Sequence, residues 1–352
     1  MRSIPLIFVL MILLSSNISL EKSSFDPITS DSASARATGV DLSVTNSSYS
    51  YANSADEARY RMFSSNFPII GFNKPYELFV IDTMVNVPTK VTIEVENFGT
   101  NPSGTIDINI KLLHNEYTQF EIVNDTIQMA SLNGGSSNNI QHQFTPKYSG
   151  NHTIWIMATS SIVDDNTNND VWSKGFAVGS HYYNCDMLTS WTVGNLWSSN
   201  TDASISNGKS CHVGAGSSST YNNNMQTSLI TPAIDMSDAV GNPTRTNGLS
   251  FFYSGSAAAN DYLKIYSKNT IGGWNELASI SGTIDNNFAD GSNWQTFSVS
   301  NKGFASPLIP VPQADFHSQS QFKFEFFSDA SGVDIGYWVD DIVILYDQKV
   351  KH

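Results

Sequence analysis

The sequence has few basic residues and almost no cysteine. Among its 352 residues, 18 Lys and Arg stand against 32 Asp and Glu, which gives a formal net charge of −14. Nucleic acids are bound through clustered basic side chains, and anionic membrane surfaces attract the same residues, so the composition argues against both as partners. The acidic balance bears on solubility and partners and says nothing about the fold.

Catalytic sequence motifs are also missing. There is no HExxH motif for zinc, no GxSxG nucleophile elbow and no glycine-rich loop followed by Lys-Ser or Lys-Thr. The seven histidines are scattered, and no two of them are four residues apart. We therefore predict that the protein is not an enzyme. Catalysis by two carboxylates far apart in the sequence, as in glycoside hydrolysis, is an alternative, because residue spacing alone does not reveal such a pair.

Long apolar runs are absent beyond the N-terminus. Arg2 and the apolar stretch from Ile4 to Leu14 are typical of a secretory signal peptide over residues 1–20, with an uncleaved anchor as the alternative. Residues 21–39, rich in Ser, Asp and Ala, are predicted to form a disordered linker. No later segment is apolar enough to span a membrane, so we expect a secreted protein, with surface retention depending on a partner.

The two cysteines fit the expectation of export. Cys185 and Cys211 form no CxxC motif, and in an exported chain a pair of cysteines is more often a disulfide than two free thiols. We predict that they are bonded to each other.

From residue 40 onward, short runs of branched and aromatic residues alternate with turn residues, as in β-strands. Many short strands favour an all-β fold with two β-sandwich domains, residues 40–178 and 179–347. One short helix is predicted to begin at Ser54, with Ser54 as N-cap and Glu57 completing a capping box. The predicted strands are Glu77–Ile81, Lys90–Val95, Thr105–Ile110, Phe120–Met129, Asn139–Phe144, His152–Thr159, Leu249–Tyr253, Asp261–Ser267, Trp294–Val299, Phe322–Phe327 and Trp338–Leu345.

The last predicted strand carries two adjacent carboxylates, Asp340 and Asp341, in an apolar run. Strict alternation would put Asp340 on one face of the strand with Trp338 and Ile342, and Asp341 on the other face with Val343. At least one carboxylate should then lie beside a packed core, where an unpaired charge is costly. Between residues 179 and 345 there are six Lys and Arg and fourteen Asp and Glu, so cations are scarce as partners. A calcium ion or backbone hydrogen bonds would compensate instead.

An Asx-rich segment, Asp164–Asp170, has the look of a calcium loop but lacks the glycine and the bidentate Glu of an EF-hand. We predict a hairpin turn there.

Trp155, Trp191 and Trp338 are expected in the core. Trp274 follows two glycines and is the candidate for stacking on a ligand. Acceptor sequons, which chance also produces in a chain rich in Asn and Ser, begin at Asn46, Asn124 and Asn151.

Residues 40–178 resemble the immunoglobulin-like CARDB domains of secreted prokaryotic proteins. The segments that carry this resemblance are Thr92–Thr100, Ser149–Thr153 and the Asp165–Asp170 turn. The resemblance implies an immunoglobulin-like sandwich, to which the helix at Ser54 is an addition.

Residues 184–345 resemble the MAM-like jelly rolls attached to secreted peptidases and, more broadly, concanavalin-like sandwiches. The segments concerned are Cys185–Asp186, Ser228–Asp235, Asp261–Tyr266, Gly273–Trp274, Phe324–Asp329 and Trp338–Ile342. In such jelly rolls an acidic residue of the first strand and one of the last strand bind a structural calcium ion. The resemblance therefore implies a calcium site at Asp186 with Asp340 or Asp341.

These observations predict a non-catalytic recognition or adhesion protein, secreted or at the cell surface, that binds an extracellular protein or a glycan. The whole chain resembles a two-module surface protein of archaeal type. The alternative is a carbohydrate-binding accessory of a hydrolase on another chain, and a hydrolase with a hidden site is a third possibility.

Overall fold

The structure is a computed structural model that describes residues 38–59, 81–114, 121–202, 204, 208–215, 219–240, 248–283, 295–296 and 309–351. The predicted signal peptide and nearly all of the predicted linker lie outside the described residues. Two predicted strands, Glu77–Ile81 and Trp294–Val299, also lie largely outside the described residues. Of these strands the structure describes Ile81, Gln295 and Thr296. Among the helices of the described part of the chain, none is long and apolar enough to cross a membrane.

The first sandwich is built from strands β1 to β8. Its two sheets have the strand orders β1-β3-β6 and β2-β8-β7-β4-β5, and all pairs except β2 with β8 are antiparallel. Its elements are β1 (Leu42–Tyr51), the short helix α1 (Ser54–Arg59), β2 (Thr83–Met84), β3 (Thr89–Asn97), β4 (Ile106–His114), β5 (Glu121–Met129), β6 (Ser137–Phe144), β7 (Gly150–Ser160) and β8 (Val171–Gly179).

The second sandwich is built from strands β9 to β20. One sheet has the order β10-β13-β19-β15-β16, and the other has the order β11-β12-β20-β14-β17, with β9 beside β20 and β18 beside β14. Its strands are β9 (His181–Tyr183), β10 (Thr192–Val193), β11 (Trp197–Asn200), β12 (Ser210–Val213), β13 (Gln226–Ile230), β14 (Gly248–Ser256), β15 (Tyr262–Lys268), β16 (Trp274–Ser281), β17 (Gln295–Thr296), β18 (Ile309–Pro310), β19 (Phe322–Phe327) and β20 (Gly336–Leu345). The predicted fold class, all-β with two sandwiches, is confirmed.

Alternating side chains explain the first sandwich. In β3 the residues Val91, Ile93 and Val95 are fully buried, and the residues between them are half-buried on the outer face. The same period of two governs β7, where Trp155 points outward, so its predicted place in the core is wrong. Trp191 is buried in the core, as predicted.

The turn between β7 and β8 is the predicted Asx hairpin turn. The Asp164 carboxylate Oδ1 accepts the backbone N–H of Asn166 at 2.8 Å, which closes an Asx turn.

At α1 the predicted cap is wrong by one residue. Asn53 Oδ1 accepts the N–H of Asp56 at 2.8 Å, so Asn53 is the N-cap and Ser54 is the first helical residue.

Strand β20 is buried along its whole length because both faces of its sheet are covered. One set of its side chains packs in the core of the second sandwich: Tyr337, Val339, Ile342 and Ile344. Another set belongs to the buried cluster that contains the core of the first sandwich: Trp338, Val343 and Leu345. The sheet therefore stabilises both sandwiches, and residues Ala37–His352 form one compact unit.

The predicted division of β20 into two faces is wrong beyond Asp341. Opposite β14 the register moves from Ser250↔Val343 to Phe252↔Asp340, so β20 contains one extra residue, a β-bulge. Asp341 has φ of 47°, in the left-handed region. Because the bulge reverses the alternation, Trp338 shares its face with Val343 and not with Ile342.

Hydrogen bonds to the residues after β20 tie the two sandwiches together. The Asn151 N–H donates to Asp347 Oδ1 at 2.7 Å, and the Gln348 N–H donates to the Ser149 carbonyl at 3.2 Å. Gly150 lies between them with φ of 120°, and a Cβ atom there would be 2.7 Å from the Asp347 Cα. The close approach of the two chain segments requires glycine at this position.

Candidate functional site

The outward face of the β10-β13-β19-β15-β16 sheet carries four aromatic side chains, which together with two lysines and two glutamates we call the aromatic face. Alternation in β15 and β19 turns Leu263, Ile265 and Phe324 into the core. The side chains between them therefore lie on the outer surface of the sheet. The members of the aromatic face are Tyr262, Lys264, Tyr266, Trp274, Glu276, Lys323, Glu325 and Phe327.

Strand register brings these residues together from distant parts of the sequence. Lys323 of β19 lies directly opposite Tyr266 of β15, and Glu325 lies opposite Lys264. On the other side, β16 places Glu276 opposite Tyr266 and Trp274 opposite Lys268. Neighbouring positions on one face of a sheet are close enough for aromatic and long side chains to touch.

Lys323 is at the centre of the aromatic face. Its Nζ lies 4.2 Å from the ring centroid of Tyr266 and 5.0 Å from that of Trp274, both cation–π distances. The same Nζ pairs with Glu325 Oε2 at 3.0 Å, and both side chains of the pair are about nine-tenths buried. Ser228 Oγ donates to Glu325 Oε1 at 3.2 Å. Lys323 therefore contacts both rings and the Glu325 carboxylate at once.

Beside this centre, Tyr262 and Phe327 form a second aromatic pair, with ring centroids 5.0 Å apart. Lys264 Nζ lies 5.1 Å from the Tyr262 centroid and pairs with Glu276 Oε2 at 2.7 Å. The phenol of Tyr266 has its pKa raised, first by burial and then by the charge of Glu325. It therefore stays a neutral hydroxyl, which can donate and accept hydrogen bonds.

Two lysines of the aromatic face are each paired with one glutamate, so its eight side chains carry no net charge. Lys268, opposite Trp274, adds a positive charge on the same side of the sheet and donates to Gln321 Oε1 at 2.7 Å. The arrangement suits rings and hydroxyl groups of a ligand more than a ligand of either charge.

The three predicted calcium ligands differ in burial. Asp186 is exposed, and its Oδ1 accepts the N–H of Lys209 at 3.1 Å. Asp340 and Asp341 are buried; Asp340 Oδ1 accepts the N–H of Asp341 at 2.8 Å, and Asp341 Oδ1 accepts the hydroxyl of Tyr182. Within the described ranges, no three His, Cys, Asp or Glu side chains converge into a group that could hold a metal. Calcium at Asp186, Asp340 and Asp341 stays a prediction.

The two cysteines form the predicted disulfide. Cys185 and Cys211 are bonded, with their Cα atoms 5.3 Å apart. Cys211 lies opposite Val339 in the sheet, so the bond fastens the segment after β9 to the centre of the second sandwich.

The three sequons differ in exposure. Asn46 and Asn124 are exposed, and Asn124 contacts Glu121 and Asn109 through its amide. Asn151 is half-buried against Asp347, with Nδ2 3.4 Å from Oδ1 of that carboxylate. The exposed pair offers room for a glycan, and Asn151 offers less. Glycosylation at these positions stays a prediction.

Sequence reasoning singled out Trp274 and missed its neighbours. Tyr266, Lys323 and Glu325 carry no motif, and their only signal is the polar alternation within two apolar strands. Their proximity depends on the pairing of β15 with β19, which are more than fifty residues apart.

No family model matches the chain, and no curated protein matches it. Among solved structures it is similar to the CARDB domain of the PF1109 protein from Pyrococcus furiosus in complex with di-metal ions. The identity is 19%, with 29% of this chain and 89% of that chain covered and a TM-score of 0.24.

Two carbohydrate-binding structures are similar to longer parts of the chain. TmCBM61 in complex with β-1,4-galactotriose is 10% identical, with 46% of this chain and 92% of that chain covered and a TM-score of 0.28. A structure of carbohydrate-binding modules of the β-sandwich superfamily is 12% identical, with 71% and 90% covered and a TM-score of 0.29. Likenesses at these scores do not assign a function, and the MAM-like resemblance of residues 184–345 stays a prediction.

Proposed function

We propose that the protein is an extracellular recognition protein without catalytic activity, and that it binds a neutral glycan on the aromatic face. The observation that carries this proposal is the position of the Tyr266 and Trp274 rings around Lys323 on an outward sheet surface. Sugar rings present flat apolar faces edged with hydroxyl groups. An aromatic ring packs against such a face, and flanking polar groups hydrogen-bond the hydroxyls.

Charge supports a neutral ligand. The paired lysines and glutamates cancel each other, and Lys268 beside them is hydrogen-bonded to Gln321, so the aromatic face concentrates no charge of one sign. The net charge of −14 would repel an anionic polysaccharide. The disulfide between Cys185 and Cys211 supports export, because such bonds persist in oxidising compartments.

The proposal is tested on a glycan array with the secreted protein, followed by titration of the glycans that bind. Trp274→Ala is expected to weaken binding by about tenfold or more, as for an aromatic residue at the centre of an interface. Trp155→Ala is the matched control, since Trp155 is also an outward tryptophan near a lysine, Lys111, but lies on the first sandwich.

Binding that is equal in the two variants and the native protein would contradict the proposal. Binding of a protein and of no glycan would contradict the glycan part of it. Peptidase and glycosidase substrates are expected to show no turnover. If one of them is hydrolysed, and substitution of an Asp or Glu residue abolishes that hydrolysis, the protein is a hydrolase.

A further inference from the structure

Three aspartates lie at the end of the first sandwich where β1 begins, close enough for the charges of Asp164 and Asp41 to act on Asp170. Asp164 Oδ2 accepts the backbone N–H of Leu42 at 2.8 Å. Asn169 Nδ2 donates to Asp41 Oδ1, also at 2.8 Å. The turn between β7 and β8 is thereby fixed against the first residues of β1.

Asp170 is the buried member of this group. Only 6% of its surface is exposed. Its carbonyl accepts the N–H of Ala158, which is fully buried, and opposite residues of an antiparallel pair share a face. The carboxylate therefore points between the two sheets, toward the start of β1. Its Oδ1 is buried and has no hydrogen-bond partner, and the same is true of Asn169 Oδ1.

These oxygens lack a positive partner among the described residues. None of the ion pairs found there involves Asp41, Asp164 or Asp170. Burial, and then the charges of Asp164 and Asp41, raise the pKa of Asp170 to about 6. A buried carboxylate next to two others is costly unless a cation compensates it.

We propose that Asp170 and Asn169 bind a calcium ion between the β7–β8 turn and β1, with a carboxylate oxygen of Asp164 or Asp41 as a further ligand. The set consists of oxygen atoms alone, which calcium prefers, and calcium accepts irregular geometry where magnesium requires an octahedron. The carboxylate, His and Cys side chains of the described residues form no group of three that could hold a metal. The buried Oδ1 of Asn169, which has no hydrogen-bond partner, supplies the further oxygen that the proposed site needs. Backbone carbonyls and water would complete the coordination.

This site differs from an EF-hand, whose glycine and bidentate Glu the turn does not have. Its candidate ligands come from the β7–β8 turn and from Asp41, the residue before β1. The ion would fix the turn to β1, and it would be independent of the predicted site at Asp186, Asp340 and Asp341.

The test uses the full-length protein, freed of metal with a chelator and then titrated with CaCl2. Calcium at about a hundred times its Kd stabilises by about 2.7 kcal/mol, which should raise the Tm of one unit of about 300 residues by roughly 4 °C. Asp170→Asn should abolish this rise, and it should also slightly raise the Tm of the metal-free protein at pH 7.5, because it removes a buried charge. Asp107→Asn, an exposed carboxylate on β4, is the control and should behave like the native protein.

Isothermal titration counts the ions independently of stability, and Asp170→Asn is expected to bind one calcium ion fewer. If Asp170→Asn does not fold, Asn169→Ala replaces it in both assays. Two results would overturn the proposal. One is a native protein whose Tm and titration do not respond to calcium. The other is a response that survives in Asp170→Asn and disappears in Asp186→Asn, which would place the ion in the second sandwich.

Discussion

Leu345 tests whether the two sandwiches unfold as one unit. It lies on β20, a strand of the second sandwich, but its side chain is 2% exposed within the cluster that includes the first core. Leu345→Ala removes three buried carbon atoms from that cluster and leaves a cavity. Substitutions of this kind destabilise by about 3 kcal/mol.

The size of the Tm shift depends on the unit that unfolds. Unfolding entropy is about 2.1 cal/mol/K per residue, so a loss of about 3 kcal/mol lowers the Tm of a unit of about 300 residues by about 4–5 °C. In an independent domain of about 150 residues, the same loss would lower the Tm by about 9 °C. Because residues Ala37–His352 form one compact unit, we expect the smaller shift in a single transition.

Differential scanning calorimetry distinguishes the two cases. Ile344→Ala is the matched comparison, because Ile344 is the preceding residue and packs in the core of the second sandwich. Both variants are expected to move one shared transition. Two transitions, with Leu345→Ala moving one and Ile344→Ala moving the other, would refute the coupling of the sandwiches through β20.

Three further predictions concern the disulfide, the histidines and the bulge. Replacing Cys185 and Cys211 with Ser should lower the free energy of unfolding by about 3 kcal/mol, as measured by chemical denaturation. An unchanged denaturant midpoint would count against the bond. Burial and then the neighbouring His114 lower the pKa of His152 to about 3. The unfolded chain takes up the proton near pH 6.5 and the folded protein does not, so stability should fall as pH drops from about 6.5 toward 3. His152→Asn, whose amide can still donate to the Gly150 carbonyl, should reduce that slope in unfolding curves at pH 7 and 4.5, and an equal slope would contradict this. Asp341→Ala should cost about 3 kcal/mol, from the left-handed φ and the lost Tyr182 contact, and Asp341→Asn should cost less; the reverse order would argue against the bulge.

Local patterns in the sequence predict the strands well, because alternation depends only on neighbouring residues. Val91, Ile93 and Val95 show this in β3. The bulge in β20 breaks the same rule, since it depends on the pairing with β14 and on a left-handed residue at Asp341. Neither condition is visible in the run of residues itself.

The candidate site was harder to predict than the strands. Trp274 was recognisable from its position after two glycines, but its partner Lys323 comes from a strand almost fifty residues later.

At α1, the predicted capping residue is wrong because both Asn53 and Ser54 are good N-caps. Only the backbone geometry decides between them.

The most direct test of the binding surface is the indole N–H spectrum of the seven tryptophans during titration with a glycan that binds. The Trp274 signal, assigned by its absence in Trp274→Phe, is expected to shift with the saturation of the protein. The Trp155 signal, from the outward tryptophan of the first sandwich, is expected to stay in place. Shifts at Trp155 together with an unmoved Trp274 signal would show that the ligand binds elsewhere and that the aromatic face is not the binding surface.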